Sequence, residues 1–245
     1  MVALLLVLSL VSQDDAAATE AVATFDATFS KTKEAGARAA AITKLSATHH
    51  EKVVGRLAAL LTHEEKALRI DAAQALATFK DAPELRKSAA HALASALNSG
   101  SNQKEIEVQV ALLTCIGRLE EESSGTVLKS HFDDKDEQIA SAAIAAAGAL
   151  KSKAMVEPLI DELRDCEKKS KGPETPTGGG KQVKVPKGGG SGSGVDPEAV
   201  KRQRAAQLLP AVQGALSNLT GQNLSLSSDW EKWWSKNRGT FNPAK

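Results

Sequence analysis

Tyrosine is absent from the 245-residue chain, and aromatic residues make up only 3% of it. Alanine and leucine must therefore supply most of the packing surface. A core rich in these two residues favours closely packed helices, because strands prefer β-branched and aromatic side chains. We therefore expect an all-α fold, in a chain long enough to bury a sizeable core in one or two domains.

A strong charge of either sign is also lacking, since 31 Lys and Arg balance 30 Asp and Glu to give a net charge of +1. This balance argues against bulk attraction to nucleic acid or to an anionic membrane. The only two cysteines, Cys115 and Cys166, have no metal-binding spacing. No histidine pair has the spacing of a zinc site either. We predict two free thiols, no metal and no cofactor.

The chain begins with a short apolar run, "MVALLLVLSLVSQDD". Val2 to Val11 is interrupted only by Ser9 and is too short for a helix that spans about 30 Å of bilayer. It has the length of a signal-peptide core, and Ser12 supplies a small residue before the acidic start of a mature chain. We predict that residues 1–12 are a signal peptide, and that the protein is exported to the periplasm, cell envelope or exterior. The alternative is a buried N-terminal helix.

Similar segments recur along the chain, among them "LRIDAAQAL", "VQVALLTCIG" and "IASAAIAAAG". Small or aliphatic residues follow the second residue of each segment by three, four, six and seven positions, which places them on one face of a helix. We call that second residue the anchor. Further helices with apolar faces lie between these segments, so we expect helical hairpins that bury their apolar faces by stacking. The anchors are Arg38, Arg69, Gln109, Ala140 and Arg202.

Two stretches, "VVGRLAALLTHEEKALRIDAAQALATF" and "DEQIASAAIAAAGALKSKAMVEPLIDELR", resemble HEAT repeats. The family's second helix commonly opens Val-Arg and continues Ala-Ala-x-Ala-Leu-Gly, and its first helix resembles "AVEPLIDELR". Arg69 matches the family arginine, whereas Gln109 and Ala140 depart from it. The resemblance implies a right-handed α-solenoid of about five hairpins over residues 16–226, and it implies no particular function, since solenoids have many roles.

Residues 170–196 interrupt the last hairpin with Gly, Lys, Pro, Ser and Thr, a composition that does not bury a core. Asp196 and Pro197 are typical of the N-cap and first position of the next helix. "GGGKQ" is not a phosphate-binding loop, because Gln182 replaces the required Ser or Thr. We interpret the insertion as a flexible solvated loop. The alternative is that three lysines of the insertion, which recur at every third residue, bind an anionic polymer. They are Lys181, Lys184 and Lys187.

The three tryptophans all lie near the C-terminus, in "SSDWEKWWSKN", and their spacing places them on one helix face. We predict that residues 227–245 form a helix and tail that cap the solenoid, with Ser228 or Asp229 as N-cap. A platform for a glycan or another ligand is the alternative. The ending also resembles that of exported bacterial HEAT-repeat proteins, where "LTGQ" precedes a Trp-rich helix. The predicted cap residues are Trp230, Trp233 and Trp234.

No nucleophile, base and orienting group occur at a recognisable spacing, so we expect no enzyme. The predicted function is a non-catalytic protein–protein interaction scaffold of the bacterial cell envelope. We expect a monomer that binds another protein through the solenoid groove, with no nucleic acid and no membrane insertion after signal cleavage. The candidate groove or inter-repeat residues are Arg38, Arg69, Lys201, Arg202 and Arg204, and for Arg69 a structural bond to a neighbouring turn is favoured. The alternatives are a HEAT-like enzyme or enzyme subunit, such as a bilin lyase, and the anionic-polymer binder described above.

Overall fold

A computed structural model describes residues 2–171 and 196–243. Every regular element in these ranges is helical, which confirms the predicted all-α class. The signal-peptide core predicted for residues 2–11 is the first part of helix α1, and most of the predicted insertion lies outside the described residues. The helices are α1 (Val2–Lys31), α2 (Ala35–Ser46), α3 (Glu51–Leu60), α4 (Lys66–Leu76), α5 (Pro83–Leu97), α6 (Ile106–Leu119), α7 (Gly125–Lys129), α8 (Glu137–Ala149), α9 (Val156–Lys171), α10 (Pro197–Thr220) and α11 (Ser227–Asn237).

Side chains just before three of the helices cap their first turns. The His50 Nδ1 atom accepts from the backbone amide at the start of α3, and the Asp136 Oδ1 atom accepts from two amides of α8. Asp196 accepts from the Glu198 amide at 3.0 Å and precedes Pro197, so both residues have the places predicted for them. These bonds satisfy amides that have no partner inside the helix.

The apolar faces predicted from the sequence are buried. This holds for the face of α3 and for the face of α9 with the 3-10 turn before it, and both contribute to one continuous core. Burial of such faces supplies most of the stability of helices this short. The residues are Val53, Leu57, Leu60, Leu61, Met155, Val156, Leu159, Ile160 and Leu163.

The helices pack in two layers. Each odd-numbered helix from α1 to α9 contacts the even-numbered helix that follows it in the chain. The even helices α2, α4, α6, α8 and α10 also contact one another in that order. On the other side, α1, α3 and α5 contact in order, and α11 packs on α9. The four anchors up to Ala140 all lie on even helices, as expected for the second helix of each pair.

The even helices approach to backbone contact at two glycines. A Cβ atom on Gly117 of α6 would lie 2.7 Å from the Ala146 Cα atom of α8. A Cβ atom on Gly148 of α8 would lie 2.6 Å from the Ala215 Cα atom of α10. Distances this short exclude any side chain, so each glycine is required by the neighbouring helix and not by its own backbone conformation.

This contact corrects the anchor predicted for α10. Ala146 lies six positions after the anchor Ala140, and Ala215 has the same contact, so the equivalent anchor is Leu209 and not Arg202. Burial supports this register, because the residues three, six, seven and ten positions after Leu209 are all buried. Arg202 therefore lies two turns before the part of α10 that matches the other even helices.

We expect Gly148→Ala to destabilise the protein by about 2–3 kcal/mol, because the new methyl group overlaps the α10 backbone and forces α8 and α10 apart. Urea unfolding at pH 7 measures the change. Gly214→Ala is the matched control, since nothing lies within 4 Å of its Cβ position. There the methyl group should add about 0.5–1 kcal/mol by helix propensity. Equal stabilities of the two variants would contradict the close approach.

Candidate interaction surfaces

Arg38 joins α2 to its neighbours and does not point into an open groove. Its Nε atom donates to the Thr32 carbonyl at 2.8 Å, and its Nη1 atom pairs with the Glu65 carboxylate before α4. The guanidinium lies 4.7 Å from the centroid of the Phe29 ring. These contacts tie α1, α2 and α4 together and leave little of the guanidinium for a partner.

Arg69 and Asn102 form a buried polar link between the second and third helix pairs. Arg69 is 4% exposed and Asn102 is fully buried. The Arg69 Nη1 atom donates to the Ser101 carbonyl at 2.6 Å and to Asn102 Oδ1 at 2.9 Å. The Asn102 Nδ2 atom donates in turn to the Leu61 and Ala96 carbonyls at 3.0 and 2.8 Å. Arg69 therefore has a structural role, as favoured from the sequence. Asn102, which the sequence analysis did not single out, is the centre of the link.

The three remaining predicted cations of the described residues lie on α10. The Arg204 Nη2 atom donates to the Asp134 carbonyl in the loop before α8, which links two helix pairs. Lys201 and Arg202 form exposed ion pairs with acidic residues at the start of α10. Exposed pairs of this kind contribute little to stability. The predicted loop lysines lie outside the described residues: Lys181, Lys184 and Lys187.

Two outward positions of each even helix are almost free of charge. The positions five and nine residues after each anchor are accessible to solvent, and Arg118 is the one charged residue among them. The rest are small or amide side chains. We call these positions the even-helix face, and they are Thr43, Ala47, Gln74, Thr78, Thr114, Arg118, Ala145, Ala149, Gly214 and Asn218.

The polar groups of the even-helix face are largely satisfied within the protein. The Thr43, Thr78 and Thr114 hydroxyls donate to carbonyls of their own helices at 3.1, 2.7 and 2.8 Å. The Asn218 amide donates across to the Gly148 carbonyl at 3.3 Å. Because these donors already have acceptors, a partner that covers the face has few polar groups to desolvate.

A shallow groove of about 200 Å³ lies between α2 and α4 beside this face. Thr43, Gln74 and Thr78 line it together with Asp71. Burial raises the pKa of the Asp71 carboxyl above its ordinary value. The groove therefore offers one carboxylate among small neutral side chains, and it is well shaped for a protruding side chain and too small for most organic ligands.

The odd helices show the opposite composition on their exposed side. Glu51 and Lys52 lie at the start of α3, and α9 carries a dense set of exposed acidic and basic residues. Several form ion pairs with one another or with neighbouring helices. This exposed side therefore differs in charge from the even-helix face, where Arg118 is the one charged residue. The exposed charged residues of α9 are Glu157, Asp161, Arg164, Asp165, Lys168, Lys169 and Lys171.

Helix α11 closes the C-terminal end of the stack by packing on α9. Trp230 is fully buried, and its Nε1 atom donates to the Leu224 carbonyl at 2.9 Å. The first turn of α11 is capped from α9: Glu167 accepts from the Ser227 amide at 2.9 Å and from its hydroxyl at 2.7 Å. The predicted N-cap, Ser228 or Asp229, is therefore wrong. Both residues lie inside the helix, and a distant carboxylate takes the capping place.

Trp233 and Trp234 are only partly buried, and a residue that the sequence analysis missed covers them. The chain turns back after α11, so that the Phe241 ring lies 5.4 Å from Trp233 and 5.9 Å from Trp234, centroid to centroid. Pro243, two residues further along the tail, is also buried. Phe241 lies outside the helical periodicity, and its only signal was being one of few aromatic residues. The three indoles thus form a packed cluster with the tail.

Both cysteines are buried free thiols, as predicted. Burial raises the pKa of Cys115 to about 11 and that of Cys166 to about 12, so both remain protonated and unreactive at neutral pH. The Cys166 Sγ atom donates to Glu162 at 3.5 Å, and burial raises the pKa of that carboxyl. Within residues 14–171 and 196–243, no group of three His, Cys, Asp or Glu side chains converges on a metal position.

Comparison with models of known protein families gives no match, and no curated protein matches the chain. In residues 2–171 and 196–243, no helix has the length and apolar character needed to cross a membrane.

We expect Asn102→Ala to cost about 2–4 kcal/mol of stability, because it removes three buried hydrogen bonds, one from Arg69 and two to the Leu61 and Ala96 carbonyls. Urea unfolding measures the loss. The control is Arg202→Ala, which removes an exposed ion pair and should change stability by less than about 0.5 kcal/mol. A similarly small effect of both variants would show that the buried link between Arg69 and Asn102 does not stabilise the protein.

Glu162 gives a prediction that depends on pH. Because its pKa is raised, the folded protein holds the Glu162 proton more tightly than the unfolded chain does. The protonated carboxyl therefore adds to the free energy of unfolding at low pH, and this contribution is lost as the pH rises through the pKa of Glu162 in the folded protein. Glu162→Gln stays neutral, so we expect it to raise the melting temperature by about 1–3 °C at pH 7 and not at pH 4. Calorimetry at both pH values tests this. Glu64→Gln, exposed in the loop before α4, should show no such difference.

Proposed function

We propose that the protein is a non-catalytic scaffold, a HEAT-like right-handed solenoid of about five helical hairpins that binds another protein across its even-helix face. The observation that carries this proposal is the contrast between two surfaces: Arg118 is the one charged residue among the ten positions of the even-helix face, whereas the exposed side of α9 is densely charged. Continuous contact from α2 to α10 supports the stacked arrangement, since a solenoid places equivalent helices side by side.

The chemistry of the even-helix face favours a protein partner. The core of a protein–protein interface is depleted in charged residues, and the long, mobile side chains of Lys and Glu lose the most entropy when they are covered. The face has one such charge, Arg118, and its small residues let a partner helix or strand approach closely. The groove beside Asp71 adds a place for one basic or hydrogen-bonding side chain of the partner.

The compartment belongs to the same proposal. The apolar run at residues 2–11, followed by Ser12 and an acidic segment, supports export of the protein to the periplasm, cell envelope or exterior of a bacterial cell. The two buried thiols place no constraint on this, because they are shielded from oxidation and are not paired. A partner is therefore sought among proteins of the envelope.

The test is an affinity capture from an envelope extract with three baits: the wild-type chain, Ala145→Arg and Ala59→Arg. Ala145 lies on α8 within the even-helix face, and Ala59 is an exposed alanine on α3. We expect Ala145→Arg to weaken binding of the captured protein at least about tenfold, because it places a long cation in the interface, and Ala59→Arg to leave it unchanged. Circular dichroism confirms that both variants fold.

A fourth bait separates the alternative function from this one. Residues 178–194 are replaced by a short neutral linker, which removes the three loop lysines. A partner that is retained by this bait and lost with Ala145→Arg supports the even-helix face. A partner that is lost only with the loop would contradict the proposal and favour binding of an anionic polymer, and strong sensitivity to salt would accompany it.

A further inference from the structure

The N-terminal end of the stack has an apolar groove that no other described element covers. It lies between α1 and α2, has a volume of about 560 Å³, and is lined only by these helices and Thr48 just after α2. Phe25 and Leu45 form its buried floor, and small residues form most of its walls. The wall residues are Ala17, Ala21, Thr24, Thr28, Ala37, Ala40 and Ala41.

The two ends of the stack differ. At the C-terminal end, α11 covers α9 and buries Trp230 completely. In an open head-to-tail arrangement the outer side of α11 would face the N-terminal groove of the next copy, and that side carries the exposed charged residues Glu231, Lys232 and Lys236, which do not match an apolar groove. A contact between two copies through the groove is therefore head-to-head, and such a contact is isologous, with the same residues contributed by both copies.

The charges at the groove fit an isologous contact. Glu20 on α1 and Lys44 on α2 both line it. The two helices run antiparallel from the turn between Lys31 and Ala35, and the two residues lie at nearly equal distances from that turn, so they are at the same level. Neither forms an ion pair with another described residue, although Asp15 and Asp26 of α1 do.

We propose that the protein forms a homodimer through this groove, with a two-fold axis parallel to α1 and α2. Rotation about such an axis places α1 of one copy over α2 of the other. Glu20 then lies opposite the partner's Lys44, and the partner's Glu20 lies opposite Lys44, so each contact brings together opposite charges. The alanines of the walls let the helices of the two copies approach closely. This inference replaces the expectation of a monomer, and it does not depend on the function proposed for the even-helix face.

Sedimentation equilibrium tests the dimer, with the full chain purified from its own host so that it carries its natural N-terminus. We expect a reversible monomer–dimer equilibrium. Glu20→Lys and Lys44→Glu should each raise the dissociation constant about 3- to 30-fold, because each single change creates two repulsive pairs. The double variant should recover to within about threefold of the wild type, because the reversed charges attract again.

A second pair of variants tests the apolar part of the contact. Ala17→Arg places a long side chain in the groove and should weaken the dimer by at least about tenfold, whereas Ala59→Arg, on α3 and outside the groove, should not. A chain that stays monomeric at all concentrations overturns the proposal. So does an association that survives both charge reversals and Ala17→Arg, since that association would use another surface.

Discussion

The close approach of the even helices is the constraint on which the rest of the structure depends. Gly117 and Gly148 bring the backbones of α6, α8 and α10 into contact. Gly117 lies against Ala146, and Gly148 lies against Ala215. Helices this close leave room only for small side chains between them and on the surface above them. The same constraint therefore produces both a tight layer and an even-helix face made mostly of small side chains.

Polar links give this aliphatic core a unique register. Alanines and leucines pack acceptably at several offsets, so an apolar stripe alone allows neighbouring helices to slide. Arg69 with Asn102, Arg204 with a carbonyl of the loop before α8, and Glu167 with the first turn of α11 each join elements far apart in the chain. Because a displaced register would leave these groups buried without partners, they select one arrangement. They also explain why cations that the sequence marks as candidate binding residues are engaged inside the molecule.

Much of the fold could be predicted from the sequence, and less of the surface. The stripes of α3 and α9, the anchors up to Ala140 and the capped start of α10 follow from periodicity and turn chemistry. The anchor of α10 was misplaced because Arg202 and Leu209 are seven residues apart, and a helix repeats nearly the same apolar pattern after seven residues. Only the contact between Gly148 and Ala215 distinguishes the two. Glu167 as the cap of α11 has no local signal at all.

The sequence by itself determined which segments are helical, which face of each helix is apolar, and that three tryptophans gather at one end. These properties depend on residues three or four positions apart, so they can be recognised directly in the sequence. Only the tertiary structure decided which cations are engaged internally, which face stays uncharged and which end stays open. Those depend on contacts between residues 30 to 70 positions apart, such as Arg69 with Asn102 and Arg204 with Asp134. A local pattern does not encode such contacts, because packing of the whole stack is what brings the residues together.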